Sequence, residues 1–175
     1  NGDHRRYRDG VLRESGIYAK GKRNSTFTEY YQDGVTPRKE TPMQQGKIDG
    51  TVKTYFRNGK IEAEKEYKQS VESGRERRFD SKTGEQIFES HYIDGKKDGE
   101  EWEIFEDAST LRSRIIRHYR NGKLDGSYRV ESTRDGKPYI TIEGQYTDGE
   151  KSGQWIEHNY DNNTQTCTWH GEGGA

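Results

Sequence analysis

Five histidines, one cysteine and 31 carboxylates are the side chains of this 175-residue sequence with the plainest chemical reach. His91 and His118 hold equivalent places in two copies of a repeated phrase, and paired imidazoles suit zinc. On strands two apart they would lie about 10 Å from each other, at ~4.8 Å per strand. An ion that bonds imidazole at about 2.1 Å reaches only one of them. General acid–base work needs two carboxylates in unlike environments. The rows Glu62/Glu64/Glu66 and Glu100/Glu101/Glu103/Glu106 instead alternate with Lys and Arg, as the charged face of a solvated sheet does. Cys167 has His170 nearby but no third group to orient a dyad. Gly-x-Ser-x-Gly, Walker-type and His-Glu-x-x-His motifs do not occur. No catalytic, cofactor-binding or metal-ligating residue is therefore expected, and the chain is expected not to be an enzyme.

Two basic groups, Arg75/Arg77/Arg78 and Arg112/Arg114/Arg117/Arg120, have Phe79 and Tyr119 among them, a pattern able to stack bases. Thirty basic against 31 acidic residues leave no overall field for nucleic acid or an anionic membrane surface, so neither partner is expected. No apolar run approaches the ~18 residues of a membrane span. What remains is aromatic: Tyr55, Phe56, Trp102, Phe105, Tyr128, Trp155 and Tyr160 recur at related positions, and rows of Tyr and Trp are what protein interfaces favour. These seven are the candidate partner-binding residues.

The elements that would position them are repeats. Tyr119-Arg-Asn-Gly-Lys-Leu-Asp-Gly126 is rewritten as Tyr92-Ile-Asp-Gly-Lys-Lys-Asp-Gly99 and as Tyr146-Thr-Asp-Gly-Glu-Lys-Ser-Gly153, the copies 27 residues apart. A weaker copy, Met43 to Gly50, lacks the aromatic. A fixed period of this size signals a repeat architecture. Two families of turns interleave: Gly21, Gly46, Gly95, Gly122 and Gly149 in one, Gly10, Gly34, Gly59, Gly84 and Gly136 in the other. Ser70 to Gly74 stands irregularly in the first family, and Asp107-Ala108 and Asn162-Asn163 fill later slots of the second. The many Asp-Gly and Asn-Gly pairs predict primed hairpin turns.

Strands are predicted at 26–31, 51–56, 61–67, 75–79, 86–92, 100–105, 111–119, 127–132, 139–146, 154–160 and 165–169. Tight turns force antiparallel pairing. The fold class is all-β: an elongated single-layer antiparallel meander of hairpins of about 25 residues, in one domain over 1–175. The best repeats are at 86–160, with a terminal strand and tail at 161–175. One face, with Tyr67, Tyr92, Tyr119 and Tyr146, is expected to be buried and the other to be mostly solvated. Leu, Ile, Val and Phe number only 24, which excludes a thick core.

The phrase Tyr-x-x-Gly-Lys-x-Asp-Gly, followed two or three residues later by an aromatic as in Gly99-Glu-Glu-Trp102 and Gly153-Gln-Trp155, resembles the MORN repeat, specifically the bacterial MORN-variant type. The resemblance covers about Gly16 to Tyr160 and departs at 69–85. It implies a single-layer sheet, and for some members an antitoxin label. The expected function is a non-enzymatic protein-binding scaffold, antitoxin- or immunity-like, with another protein as partner and no cofactor. The alternative is a secreted or lipid-anchored envelope or surface protein with a structural or glycan-binding role. Open sheet ends call for a cap, a partner strand or an edge-strand homodimer. The start at Asn1 fits removal of a signal peptide and equally a sequence trimmed by cloning, so localisation stays open, with an extracytoplasmic site slightly favoured over a cytoplasmic one.

Overall fold

A computed structural model describes residues 1–106, 112–134, 136–159 and 163–171, and among these there is no helix. The described residues form seventeen strands paired as an open antiparallel meander. It divides into two compact units, Asn1–Gln86 with Tyr92–Gly95, and Ile87–His91 with Lys96–Ala175.

Unit 1 contains β1 (Gly2–Arg8), β2 (Val11–Ala19), β3 (Lys22–Arg23), β4 (Thr26–Tyr30), β5 (Pro37–Gln44), β6 (Lys47–Ile48), β7 (Gly50–Tyr55), β8 (Ile61–Lys68) and β9 (Val71–Phe79). β10 (Gln86–Ile93) gives its last two residues to unit 1 and Ile87–His91 to unit 2. Unit 2 continues with β11 (Lys96–Lys97), β12 (Gly99–Glu106), β13 (Arg112–Arg120), β14 (Lys123–Arg134), β15 (Lys137–Thr147), β16 (Glu150–Asn159) and β17 (Thr164–His170). Each long strand pairs with the next, as in β7–β8, β8–β9, β12–β13, β13–β14 and β14–β15.

The two families of turns differ in chemistry. In the first, both central residues have positive φ: Lys20-Gly21, Gln45-Gly46, Asp94-Gly95, Asn121-Gly122 and Asp148-Gly149, as a type I′ hairpin demands. Gln69-Ser70 has the same geometry without any glycine, so the irregular stretch after Gln69 keeps the regular turn. Each such turn is tied to the one before. The amides of Gly46, Ser70, Gly95, Gly122 and Gly149 donate to the carbonyls of Arg23, Ile48, Glu72, Lys97 and Leu124. The Asp of the Asp-Gly pair supports the ladder too: Asp98 Oδ2 accepts the Asn121 amide at 3.0 Å, and Asn24 Oδ1 accepts that of Gln45 at 3.0 Å. The following glycines, Gly50, Gly99 and Gly126, sit at φ from 102 to 119°, the first two opening β7 and β12 and the third within β14 where its register with β13 shifts.

In the second family, among the pairs whose two residues are both described, the expectation of primed turns holds only for Asp9-Gly10; Asp135 of the pair Asp135-Gly136 lies outside the described residues. Asp33, Asn58 and Asp80 do not take positive φ; their side chains accept amide protons from Val35, Thr36, Lys60, Lys82 and Thr83, and only Gly34, Gly59 and Gly84 are left-handed. These are longer loops closed by side chains that mimic a backbone turn. The fillers at 107–108 and 162 lie outside the described residues.

With so few aliphatics, the core is a single row of side chains running across the strands of each unit. In unit 1 it passes through Phe27, Thr41, Val52, Lys65 and Glu76. In unit 2 it passes through Glu101, Arg117, Tyr128 and Gly144 to Trp155. Phe27, Val52, Glu76, Glu101 and Trp155 are all 8% exposed or less. Five of its members fall two residues after a glycine of the repeat: Val52, Glu76, Glu101, Tyr128 and Trp155. The expected buried face is thus the one that buries most, with Phe88, Val130, Ser113 and Ser132 beside the row. The other face is not simply solvated, because it buries Ile116.

Candidate functional site

The repeat position that holds Trp155 is held by Glu in two places, and each Glu sits in a cage of cations and rings. Glu76 receives Lys65 Nζ at 3.0 Å, Arg78 Nη2 at 2.7 Å and the Tyr92 hydroxyl at 3.1 Å, while Lys65 lies 4.4 Å from the centre of the Tyr92 ring. Burial pushes the Glu76 carboxyl up, but the hydrogen bonds of Arg78 and Lys65 outweigh it and hold it below the usual range. Burial likewise lowers Lys65, and its bonds to Glu72 and Glu76 more than reverse that. Tyr92 is pushed up to about 12, first by burial and then by Glu76.

In unit 2, Glu101 bonds to Lys97, lies 3.4 Å from Arg117 Nε and receives the Tyr119 hydroxyl at 3.4 Å. Near the start of unit 1, Glu14 meets His4 at 2.8 Å, Arg23 at 3.2 Å and Arg6 at 3.9 Å. A buried carboxylate surrounded by hydrogen-bonding partners has its oxygens engaged, so these cages serve cohesion.

Within unit 2 the described candidate aromatics do not share one face. Trp155 belongs to the core row at 4% exposure, its indole N–H donating to Gln145 O at 3.2 Å and its ring against Tyr128 and Tyr146. Tyr128 is half-buried in the same row. Phe105 shares that face and is 38% exposed. Trp102 pairs with Ile116 on the opposite face, half-buried beneath the Arg114 guanidinium at 4.6 Å. Its repeat equivalent is thus not Trp155. Glu101 holds that place, and the offset of one residue turns Trp102 to the other side. In unit 1, Tyr55 spends its hydroxyl on Glu40 Oε2 at 2.6 Å, and Phe56 is half-buried beside it in sequence. Tyr160 lies outside the described residues.

The most exposed tryptophan is one the sequence reading passed over. Trp169 on β17 is 64% exposed and stands opposite Gln154. Register places it on the face of Trp102 and Ile156, away from Trp155. A groove of about 510 Å³ lies in this unit, lined by Ser127, Arg129, Glu143, Gln145, Gln154 and Ile156 among others. The pattern Cys167-Thr-Trp169 on a final strand carries the period-2 signal that would have found it.

The other reactive side chains are engaged locally. His91 Nδ1 is 3.1 Å from Glu100 O, and His118 Nδ1 is 3.0 Å from Ser127 Oγ. Among the described residues no group of three or more His, Cys, Asp or Glu could hold a metal ion, and no helix is long and apolar enough to cross a membrane. No protein-family model matches the sequence, and no curated protein matches it.

Proposed function

We propose that this chain is a non-enzymatic repeat scaffold that holds another protein, using the face of unit 2 that carries Trp169. The observation that carries this reading is Trp169 itself: 64% exposed, opposite Gln154 at the border of the 510 Å³ groove. An exposed Trp next to a concavity that combines Ile156 with polar and charged side chains has the composition of an interface anchor. The resemblance to MORN-variant repeats supports the scaffold reading, and an antitoxin or immunity role is the form of it that the resemblance favours.

Affinity capture with the purified chain and a Trp169→Ala variant tests this. A stoichiometric protein retained by the parent and lost by the variant, with unchanged melting, is the expected result. Retention of the same protein by both would remove this face from the reading. A second reading is favoured by the groove wall, where Gln145, Gln154, Ser127 and Ser152 offer amides and hydroxyls beside an indole, a set that also suits a sugar. Trp169-dependent retention of cell-wall or glycan material in place of a protein would shift the assignment to an envelope or surface protein.

A further inference from the structure

Unit 1 has a second concavity whose lining is unlike the first. It encloses about 720 Å³ where three turns of the second family come together, and five arginines face it: Arg6, Arg8, Arg13, Arg38 and Arg57. Only two carboxylates, Asp9 and Glu29, line it with them. Arg38 is paired with Glu29, Arg8 lies 3.9 Å from Asp9, and Arg6 reaches back to the buried Glu14 at 3.9 Å. Arg13 and Arg57 lie against backbone and ring instead. Arg13 Nη1 donates to Tyr31 O at 3.0 Å, and the Arg57 guanidinium lies 5.2 Å from the centre of the Tyr31 ring. The Asp33 carboxylate is already taken by the amides of Val35 and Thr36. The tyrosine hydroxyls of the lining are spent as well, Tyr30 on Ser15 and Tyr31 on the Tyr55 carbonyl. What the cleft offers a ligand is guanidinium N–H donors in excess over acceptors.

The arrangement belongs to the repeat. Arg8-Asp9-Gly10 and Arg57-Asn58-Gly59 are the same turn phrase, and Arg13 and Arg38 lie 25 residues apart on successive hairpins. The meander brings these arginines together from three hairpins; Arg6 and Arg8 come from the basic run Arg5-Arg6-Tyr7-Arg8, while Arg13, Arg38 and Arg57 are scattered singly along the sequence.

We infer that this cleft binds a carboxylate-rich peptide segment of a protein partner. Guanidinium forks match carboxylates two bonds at a time, and the cleft has room for several side chains rather than one small ion. Arg13 is held in place by Tyr31 O and Arg57 by the Tyr31 ring, so little side-chain freedom is lost when an anion arrives. The inference rests on the protein-holding reading and gives it a second contact, one of charge where the Trp169 face is aromatic.

The experiment is fluorescence anisotropy with the full chain, a labelled oligoglutamate peptide and its oligoglutamine counterpart. The glutamate peptide is expected to bind, more weakly as salt rises, and the glutamine peptide not to bind. Arg57→Gln and Arg13→Gln should each weaken binding roughly tenfold or more, as loss of a charge-assisted bond does. Trp169→Ala should leave it unchanged. Arg57 is exposed at a turn, so its variant decides the matter even where Arg13→Gln lowers the melting point. Unchanged binding by Arg57→Gln would overturn the inference. So would an oligonucleotide or inorganic phosphate that displaces the peptide at equal charge concentration, or binding lost in Trp169→Ala alone. Because Trp169→Ala is scored separately in partner capture, the cleft and the aromatic face can fail independently.

Discussion

Gly144 offers the sharpest test of the one-row core, because there the usual effect of a glycine substitution changes sign. Gly144 lies within a strand, at a φ open to any residue. In an ordinary strand Gly→Ala stabilises by about 0.5–1 kcal/mol, through the freedom removed from the unfolded chain. Here a Cβ would stand 2.3 Å from Trp155 Cδ2 and 2.4 Å from Cε2, where ordinary contact begins at 3.4 Å. The indole must therefore retreat by about 1 Å. Its N–H bond to Gln145 O is already 3.2 Å and would be lost, at about 1 kcal/mol. A gap of that size also forfeits a quarter to a half of the dispersion along the ring's other contacts, with Tyr128 and Tyr146, or roughly another 1–2 kcal/mol. The net expectation for Gly144→Ala is a loss of about 1–2 kcal/mol. Urea unfolding of the parent, Gly144→Ala, Trp155→Ala and the double variant measures it. In the Trp155→Ala background the same substitution should become neutral or stabilising, because nothing remains to be displaced. A Gly144→Ala chain as stable as the parent would refute the packing described. The same reasoning applies to Gly16, where a Cβ would lie 2.7 Å from the Phe27 ring.

Gly122→Val should cost about 1–2 kcal/mol, since a β-branched residue must take φ near +86° in a type I′ turn; an unchanged melting curve would sink that turn assignment. Glu101→Leu leaves Lys97 and Arg117 beside a buried apolar group and should cost about 2–3 kcal/mol by denaturant titration, less than a fully enclosed pair because both cations reach water. The pH profile should fall on both sides. Tyr55 and Tyr92 are raised to about 12 and Lys65 is raised too, so the folded state holds protons that the unfolded state releases, and stability is lost as pH climbs from about 10 toward 12. Glu76 is depressed, so its contribution is present above the unfolded carboxylate range and is lost as pH falls through it. Tyr92→Phe should flatten the alkaline limb in a series of melting curves; a limb of equal slope would show that Tyr92 does not set it.

The rhythm of strand and turn is legible in the sequence because turn chemistry is local. Asn121-Gly122 and Asp148-Gly149 declare positive φ within two residues, and all eleven predicted strands occur over their described residues. β1, β2 and β5 are missed, as are the two-residue strands β3, β6 and β11. β1 is His-Arg-Arg-Tyr-Arg with no apolar alternation, and β5 contains Pro37 and Pro42, which normally argue against a strand. Pro37 is tolerated as the first residue of β5, and Pro42 faces the break between β6 and β7, where its carbonyl takes the Asp49 amide. The candidate site was harder to read. A strand's two faces differ by one residue, so Trp102 reads as the equivalent of Trp155 until register shows Glu101 in that place. Pattern alone favours an aromatic there, and a caged carboxylate is visible only once Lys97, Arg117 and Tyr119 are seen around it.

That exchange of aromatic for carboxylate bears on how the chain can carry a binding surface at all. A single-layer sheet with a one-row core has little apolar area to spare, and each large side chain left in water forgoes about 2 kcal/mol of burial. Each unit's row instead includes a caged glutamate, Glu76 in unit 1 and Glu101 in unit 2, whose partners Lys65 and Arg117 lie on neighbouring strands. Cohesion therefore rests on groups that are spoken for: caged carboxylates, tethered turns and aromatics lying over glycines. Trp169 and Arg57 stand outside that set. Stability and binding are consequently separable in this architecture. Variants at Trp169 and Arg57 should change what the chain holds and leave its unfolding curve in place, while Gly144, Glu101 and Gly122 should do the reverse.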